Sequence, residues 1–372
     1  MKEGTLLPEN FDSQAADTLA SLPFLHIQKQ YCTRANGSDC KRCSFCCPHG
    51  AITLRENAAP SVNHEACAGC GICAGVCDAF SATRLSLHQL HQHILRTAAA
   101  GKRVFITCEK NLEPKAKPAE NVMVLPCISM MSPAFLTMIL AEGVELTLGC
   151  KLETCEDCAM GGVLGGMLFP RAVEIAQQRT GKEVLISSEI PTKLALLEKI
   201  SEDEDPTGRR QAFQDLAADF MDITSGKRRL AQSNVMQDYA LRKQRNRILS
   251  GLSIPDGAQL DERAGSKNRK GVLFPQQRML ATAAMAQPDC ANKIVLRISQ
   301  TGESSCCSSL ECIHLCPTGA RFRVPGRKLA FDPFLCVGCG ICADICPHGA
   351  CSIIASTAQI FLEKEPQGAS HE

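Results

Sequence analysis

The sequence lacks the features that mark several common classes of protein. Its 40 Lys and Arg residues nearly balance 39 Asp and Glu residues, so the formal net charge is +1, which argues against a nucleic-acid binder held by overall charge. The opening MKEGTLLPENFDSQ contains no apolar core of a signal peptide. The uncharged run 121–141 is interrupted by Pro126 and Pro133, so we expect a strand and a helix there and no membrane span. These absences predict a cytoplasmic protein.

Motifs for nucleotide cofactors are also missing. The chain contains no Walker motif, no flavin or nicotinamide fingerprint, and no C-x3-C-x2-C trio of the kind that radical-SAM enzymes need. The glycine-rich GGVLGG at 161–166 lacks the GxGxxG pattern and follows no strand directly, so it is expected to let a helix pack closely. Cysteine, by contrast, is abundant, with 24 residues. In a reducing cytoplasm, clustered cysteines indicate metal ligands and not disulfides.

A segment near each end of the chain carries the same cysteine pattern. CPHGA occurs at 47–51 and again at 346–350, and CPTGA occurs at 316–320. Moving the first segment forward by 269 positions aligns six cysteines without a gap. The aligned pairs are Cys43 with Cys312, Cys47 with Cys316, Cys67 with Cys336, Cys70 with Cys339, Cys73 with Cys342, and Cys77 with Cys346. The pattern predicts two copies of one small module.

Each copy contains the run C-x2-C-x2-C-x3-C, as CAGCGICAGVC at 67–77 and CVGCGICADIC at 336–346. Three closely spaced thiolates of such a run bind three corners of an iron–sulfur cube, and the fourth cysteine points to a neighbouring cluster. The proline after the fourth cysteine turns the chain sharply before a strand such as AITL. Zinc ribbons space their cysteine pairs differently, so the pattern favours iron–sulfur clusters over zinc.

These two segments, 30–84 and 300–356, resemble bacterial ferredoxins with two [4Fe-4S] clusters. In that family each cluster takes three ligands from one half of the motif and one from the other. The resemblance implies α+β ferredoxin-like modules at both ends of the chain, with about four [4Fe-4S] clusters in all. In the first module it implies one cluster on Cys47, Cys67, Cys70 and Cys73, and another on Cys77, Cys43, Cys40 and one further residue.

The first module departs from the family at Asn36, where a cysteine is usual. In the alternative that we favour, Cys32 replaces it by way of a longer loop, which leaves Cys46 without a ligand role. In the other alternative, Cys40, Cys43 and Cys46 form a literal C-x2-C-x2-C. Cys46 and the cysteine after it would then serve different clusters.

The second module departs further, because Ser309 stands at the position that matches Cys40. One cluster is expected on Cys316, Cys336, Cys339 and Cys342. The other has Cys312 and Cys346 with one or both of the adjacent Cys306 and Cys307. A complete cluster with an unusual loop and a three-iron or open-cornered cluster are both compatible with this set of ligands.

Between the modules, β-rich runs alternate with helical stretches. The runs are 103–108, 121–127, 144–150 and 183–189, and the helical candidates are 85–102, 131–142, 156–180 and 193–203. Such alternation predicts a central α/β domain with a parallel sheet at 85–200. Residues 201–295 are expected to form a linker at 201–208, helices that include the basic stretch 227–249, and a loop at 255–271.

Each of the first three predicted strands ends in a cysteine, at Cys108, Cys127 and Cys150. Cys155 and Cys158 follow at the start of the next helix. Because the carboxyl ends of parallel strands line one edge of the sheet, these residues are expected to converge. The pattern predicts a metal cluster or a redox-active thiol site there.

The central domain resembles the iron–sulfur (delta) subunit of methyl-viologen-reducing hydrogenases, a family found with heterodisulfide reductases. The shared features are the ordered TC, PC, GC and C ends and the stretch SPAFLTMILAEG. The family's further paired cysteine after the first strand is absent here, where the sequence reads CEKN. The resemblance implies a [2Fe-2S] or other iron–sulfur centre on Cys108, Cys127, Cys150 and Cys155, with Cys158 spare.

Together these features predict a cytoplasmic electron-transfer protein that relays single electrons between a redox partner and another acceptor. The expected partner is a hydrogenase, a formate dehydrogenase or a heterodisulfide-reductase-like complex. Two other functions are compatible with the sequence: an iron–sulfur reductase with its catalytic site at the central cysteines, and a redox-sensing or assembly protein. Cys46, Cys290 and Cys351 are expected to have no ligand role.

Overall fold

The computed structural model describes residues 24–82, 87–112, 117–192, 271–324 and 327–362. The helix predicted at 193–203, the linker, the basic helix and nearly all of the loop at 255–271 lie outside these ranges. None of the described helices combines the length and the apolar character that crossing a membrane requires.

Short antiparallel strand pairs frame the first cysteine segment. Strand β1 (Leu25–Ile27) pairs with β4 (Phe80–Ala82), and β2 (Ile52–Thr53) pairs with β3 (Ser61–Val62). Two short helices lie between them, α1 (Arg42–Phe45) and α2 (Ile72–Val76). β1 begins before residue 30, the predicted start of the module, because a strand without cysteine gives no spacing signal.

A four-stranded parallel sheet follows. Its strands are β5 (Val104–Cys108), β6 (Val122–Leu125), β7 (Leu146–Gly149) and β8 (Leu185–Ser187), in the order β6-β5-β7-β8. All three pairings are parallel. Helix α3 (Leu87–Ala99) precedes the sheet, and α4 (Pro133–Ala141) and α5 (Gly162–Thr180) connect its strands. Val104 and Ile106 of β5 are fully buried, as expected for apolar β-branched residues in a sheet covered on both faces.

Helix α4 accounts for the longest apolar run of the chain. Ser132 caps the helix by accepting a hydrogen bond from the N–H of Phe135 at 3.0 Å, and Pro133 begins the first turn. Residues 134–141 are all buried, because α5 and a later helix, α6 (Pro275–Ala286), pack against α4. The run is therefore a helix of the protein core.

The second cysteine segment repeats the arrangement of the first. After α6 and α7 (Pro288–Ala291), strand β9 (Val295–Thr301) pairs with β12 (Cys351–Thr357), and β10 (Arg321–Val324) pairs with β11 (Arg327–Phe331). Helices α8 (Glu311–His314) and α9 (Ile341–Asp344) lie between these strands. Each of these two helices begins 269 positions after its counterpart, α1 or α2. The apolar interior of this segment is continuous with that of the sheet, α4 and α6, while the first segment has a core of its own.

Candidate metal centres

The three CPxGA turns share one backbone conformation. Gly50, Gly319 and Gly349 have φ angles of +58°, +71° and +60°, in the left-handed region that glycine adopts without strain. In the two CPHGA copies the alanine N–H turns back and donates to the cysteine sulfur, at 3.3 Å in the first and 3.2 Å in the second. The repeated motif therefore places a backbone donor against a cysteine sulfur in both copies.

The cysteines gather in five groups, which we name sites 1 to 5 in the order in which they adjoin one another. All 24 cysteines lie in the described part of the chain, and none of them forms a disulfide there. Site 1 contains Cys108, Cys127, Cys150, Cys155 and Cys158. Site 2 contains Cys47, Cys67, Cys70 and Cys73, and site 3 contains Cys32, Cys40, Cys43 and Cys77. Site 4 contains Cys316, Cys336, Cys339 and Cys342, and site 5 contains Cys306, Cys307, Cys312, Cys346 and Cys351.

Site 3 brings Cys32 together with residues far from it in sequence. Burial, and then the neighbouring thiols of Cys40 and Cys32, raise the pKa of Cys43 to about 11. Burial raises the pKa of Cys77 to about 12, and Cys43 and Cys32 act in the same direction. Cys46 instead donates from its Sγ to the carbonyl oxygen of Cys43 at 3.2 Å. Cys46 also lies close to thiols of sites 2 and 3, since burial raises its pKa to about 12 and Cys43, Cys47 and Cys70 act in the same direction. Both sequence alternatives therefore stay predictions.

Site 1 lies at the carboxyl edge of the sheet. Burial raises the pKa of Cys108 to about 11 and that of Cys150 to about 12. Asn111 ties the two strand ends together, since its Nδ2 donates to the Sγ of Cys108 and to the carbonyl of Gly149, each at 3.1 Å. Residues far apart in the sequence therefore meet at one edge, as the parallel arrangement requires.

Cys158, expected to be spare, lies beside Cys127 and Cys155 in site 1. Burial acts to raise its pKa, but hydrogen bonds from the backbone N–H groups of Gly161 and Met160 help to outweigh burial, and the pKa is lowered. Successive backbone N–H groups of this kind form an anion-binding concavity. Site 1 thus provides five sulfurs, of which Cys158 most readily forms a thiolate.

The glycines of GGVLGG let helix α5 approach site 1. A Cβ on Gly161 would lie 3.0 Å from the Sγ of Cys127, and a Cβ on Gly166 would lie 2.9 Å from the Cβ of Cys155. Any side chain at either position would displace a cysteine of the site. The prediction of close helix packing at this stretch is confirmed.

Site 4 borders a cleft of about 310 Å³. Burial raises the pKa of Cys339 to about 12, and Cys316, Cys336 and Cys342 act in the same direction. The Oγ of Ser299 lies 3.0 Å from the Sγ of Cys342. All four cysteines expected for one cluster of the second module are therefore neighbours.

Site 5 borders a second cleft, of about 370 Å³. Cys306, Cys307, Cys312 and Cys346 line it, and so does Cys351, which was expected to have no ligand role. Burial raises the pKa of Cys351 to about 12, with Cys312 and Cys346 among the thiols that act in the same direction. Cys306 is half-buried and Cys307 is exposed.

Cys351 was missed because it lies outside the spacing pattern. It is the first residue of β12 and pairs across the ladder with Thr301 of β9. Thr301 stands 269 positions after Cys32, so the second module lacks a cysteine on one strand and has one on the strand beside it. The loss of cysteine at positions 301 and 309, together with a cysteine directly after CPHGA, was the signal that could have found it.

Sites 1 and 2 adjoin through helix α2 and the first CPHGA turn. A Cβ on Gly75 of α2 would lie 2.7 Å from the carbonyl oxygen of Ser129, two residues after Cys127. His49 of the turn donates from Nε2 to the carbonyl oxygen of Met160 at 2.9 Å, and Nε2 carries the proton because a carbonyl only accepts. Cys70 of site 2 is also near enough to Cys127 for their charges to interact.

The start of helix α6 lies between the segments that carry sites 3 and 4. The N–H of Gln276 donates to Oδ1 of Asp78, the residue after Cys77, at 3.0 Å. The next residue, Gln277, donates from Nε2 to the carbonyl oxygen of Cys336 at 3.0 Å. Two adjacent residues of one helix therefore contact segments of both sites.

The residues of these sites fit iron–sulfur clusters. Each site offers sulfur donors, and backbone N–H groups donate to several of the sulfurs. Burial makes neighbouring thiolates unfavourable unless a metal supplies positive charge. In the described residues, no group of three His, Cys, Asp or Glu side chains is arranged to hold a single metal ion. A cluster has no such requirement, since each cysteine of a four-iron cube binds a different iron atom.

Comparison with known proteins identifies part of the second module. Residues 329–352 match the family model Fer4, the 4Fe-4S binding domain, so the chain carries a [4Fe-4S]-binding domain that includes cysteines of sites 4 and 5. A stretch of 44 residues is 36% identical to a tetrathionate reductase subunit from Archaeoglobus fulgidus. That stretch covers 12% of this chain and 21% of the relative, so the chain spans about a fifth of that protein's length. No solved structure matches the chain.

Proposed function

We propose that this protein is an iron–sulfur electron-transfer protein with five redox sites in series. Sites 2 to 5 would each hold a [4Fe-4S] cluster, and site 1 a [2Fe-2S] or other iron–sulfur centre. When bound, such clusters accept and release single electrons. The Fer4 match at residues 329–352 and the shared arrangement of the two modules support this proposal, as does the resemblance of the central domain to the hydrogenase delta subunit.

The contiguity of the sites is the observation that carries the proposal. Gly75 brings helix α2 against the turn after Cys127, and Gln276 and Gln277 contact the segments of sites 3 and 4. Within each module, a single short motif supplies cysteines to both sites. Structural cysteines with no role in electron transfer would not need to form an uninterrupted series.

The protein residues of each site would bind the clusters and set their potentials. Backbone N–H groups that donate to the sulfurs, burial and net charge are the means by which a protein adjusts such potentials. Asn111 and Ser299 add side-chain contacts at sulfurs of sites 1 and 4. The chain would thereby hold the centres in place and exclude water from the buried ones.

The proposed partners are redox proteins. Electrons would pass between an oxidoreductase of the hydrogenase, formate dehydrogenase or heterodisulfide-reductase type and another acceptor. The similarity to part of a tetrathionate reductase supports a place within a reductase complex. At site 5 the exposed Cys307 gives one end of the series access to the surface. The cytoplasmic location stays a prediction.

One observation favours a second candidate, thiol or disulfide chemistry at site 1. Hydrogen bonds from three backbone N–H groups help to lower the pKa of Cys158, as in reactive cysteines. In that case site 1 would be a catalytic thiol site to which the other clusters deliver electrons.

Anaerobic measurement of iron and acid-labile sulfide in the full chain separates these candidates. The test variant carries Ser in place of all five cysteines of site 1, and the control carries C290S, a buried cysteine outside the five sites. If site 1 holds a cluster, the test variant loses roughly two to four iron atoms per chain and the control loses none. Equal iron in both variants would favour the thiol site, and a wild-type chain without iron would overturn the proposal.

A further inference from the structure

Arg321, the first residue of strand β10, is a buried cation in the second module. It is only 2% exposed. Its Nη1 donates to Oγ1 of Thr301 at 2.7 Å, and its Nη2 donates to Oγ of Ser299 and to the carbonyl of Gln300, the latter at 3.3 Å. Nη1 also lies 4.0 Å from the Sγ of Cys312. The guanidinium is therefore held in one place by strand β9.

This guanidinium lies between sites 4 and 5. Ser299, which accepts from Arg321, also contacts the Sγ of Cys342 in site 4, while Cys312 belongs to site 5. The Nε of Arg321 is buried and has no hydrogen-bond partner among the described residues. The polar groups around this buried cation are therefore the side chains of β9 and the sulfur of a cysteine of site 5.

The first module has no charge at the equivalent position. Its Arg34 lies near site 3, where Nη1 donates to the carbonyl oxygen of Cys40 at 3.4 Å, but this arginine is paired with Asp39 at 3.3 Å. Residue 52 stands 269 positions before Arg321 and is Ile52, which is buried at 8% exposure. Both residues follow a CPxGA turn and begin a short strand of the same hairpin. A cation in a buried position is costly unless it is paired, so its presence in only one of two matching hairpins needs a functional reason.

We infer that Arg321 is a shared counter-charge for sites 4 and 5, and that it raises the reduction potentials of the second module above those of the first. The inference rests on the proposed function, since it presumes clusters at both sites. Reduction adds one negative charge to a cluster, and a fixed positive charge nearby stabilises that product. Arginine retains its charge at any accessible pH, so the effect is permanent. Electrons that enter the first module would collect in the second.

Redox titration of the full-length protein, followed by electron paramagnetic resonance, tests this inference. R321Q removes the charge, R321K keeps it, and R323Q removes an exposed arginine two residues along the same strand. In the wild type we expect the titration to separate into a higher-potential and a lower-potential set of centres. In R321Q the higher set should become at least tenfold harder to reduce, about 59 mV for a one-electron couple. R321K should shift by less, and R323Q should titrate as the wild type does.

Iron content measured on the same samples makes the outcome decisive. R321Q with wild-type iron and unchanged potentials would overturn the inference while leaving the proposed function standing. Equal shifts in R321Q and R323Q would also overturn it, because a distant surface charge would then act as strongly. Loss of iron from R321Q but not from R321K would support the counter-charge, and loss from both would assign Arg321 a purely structural role. A wild type without iron would defeat the proposed function itself.

Discussion

At the scale of single residues, site 5 of the second module contains several cysteines although two positions of the spacing pattern carry other residues. Thr301 and Ser309 stand where the first module has Cys32 and Cys40. Cys351 and the pair Cys306 and Cys307 supply sulfurs to the same cleft. Adjacent cysteines need not both bind, since Cys312, Cys346, Cys351 and one member of the pair make four donors.

We therefore predict that C351A removes the cluster of site 5. The expected loss is about four iron atoms per chain, because a donor disappears from a group that has no spare sulfur except one of the adjacent pair. The matched control is C290A. Cys290 is also buried, and its Sγ donates to the carbonyl of Ala283 at 3.5 Å, outside all five sites. Iron and acid-labile sulfide assays check the result, and a C351A protein with full iron would show that Cys306 and Cys307 both bind.

At the scale of elements, a short helix determines how closely two sites approach. Helix α2, which carries Cys73 of site 2, presents Gly75 to the turn at Ile128–Met130, which follows Cys127. Met130 and Ser129 are buried there, and their carbonyl oxygens lie 2.8 and 2.7 Å from the place of a Cβ on Gly75. Real Cβ atoms do not approach backbone oxygen so closely, so the contact depends on glycine.

G75A should therefore separate helix α2 from the sheet. We expect a loss of about 1–3 kcal/mol in unfolding free energy, as overpacking of a tight contact usually costs, together with weaker magnetic coupling between sites 1 and 2. Denaturant unfolding and electron paramagnetic resonance of the reduced protein measure the two effects. Gly302 offers the control, because its φ is −78° and a Cβ there would meet its nearest atom at 3.8 Å. Equal stability of G75A and G302A would contradict the predicted contact.

At the scale of the whole molecule, the proposed series of five sites would make site 3 necessary for electron transfer between the modules. The contacts of Gln276 and Gln277 connect site 3 with site 4, whereas site 5 lies at one end of the series. Removal of an interior site should interrupt transfer, and removal of a terminal one should only shorten the series.

The offset of 269 positions supplies a matched pair of variants for this prediction. C43A with C77A removes two cysteines of site 3, and C312A with C346A removes their counterparts from site 5. After substoichiometric reduction and freeze-quenching, the site 3 variant should redistribute electrons between the modules at least tenfold more slowly than the site 5 variant. The slower rate is expected because the gap between the remaining sites is longer. Equal rates would show that electrons bypass site 3.

The sequence allowed prediction of those features that follow from local periodicity. Cysteines at the ends of β5 and β7 meet because parallel strands end at one edge, and this convergence needs no tertiary information. The choice between Cys32 and Cys46 for site 3 depends on the path of a loop, which no local pattern specifies. The place of Cys351 depends on the register between two strands whose ends are 50 residues apart. The contacts of α6 with α4 and with both modules are long-range packing, which no local pattern specifies.

Arg321 was overlooked for a similar reason. A charged residue at the start of a short strand usually faces solvent, and its sequence neighbour Arg323 does so. Only the alignment of Arg321 with Ile52 marks the position as one that faces inward. Alignment of the two cysteine segments thus carries information that one segment alone does not contain.

The pairing of Thr301 with Cys351 also bears on how a sulfur site can keep its donors when the cysteine spacing changes. Residues directly opposite each other on an antiparallel ladder have Cβ atoms about 4.5–5.5 Å apart and face the same side. A cysteine on either of two such strands can therefore present its sulfur at nearly the same place. A module of this kind can retain its chemistry long after its sequence signature has faded.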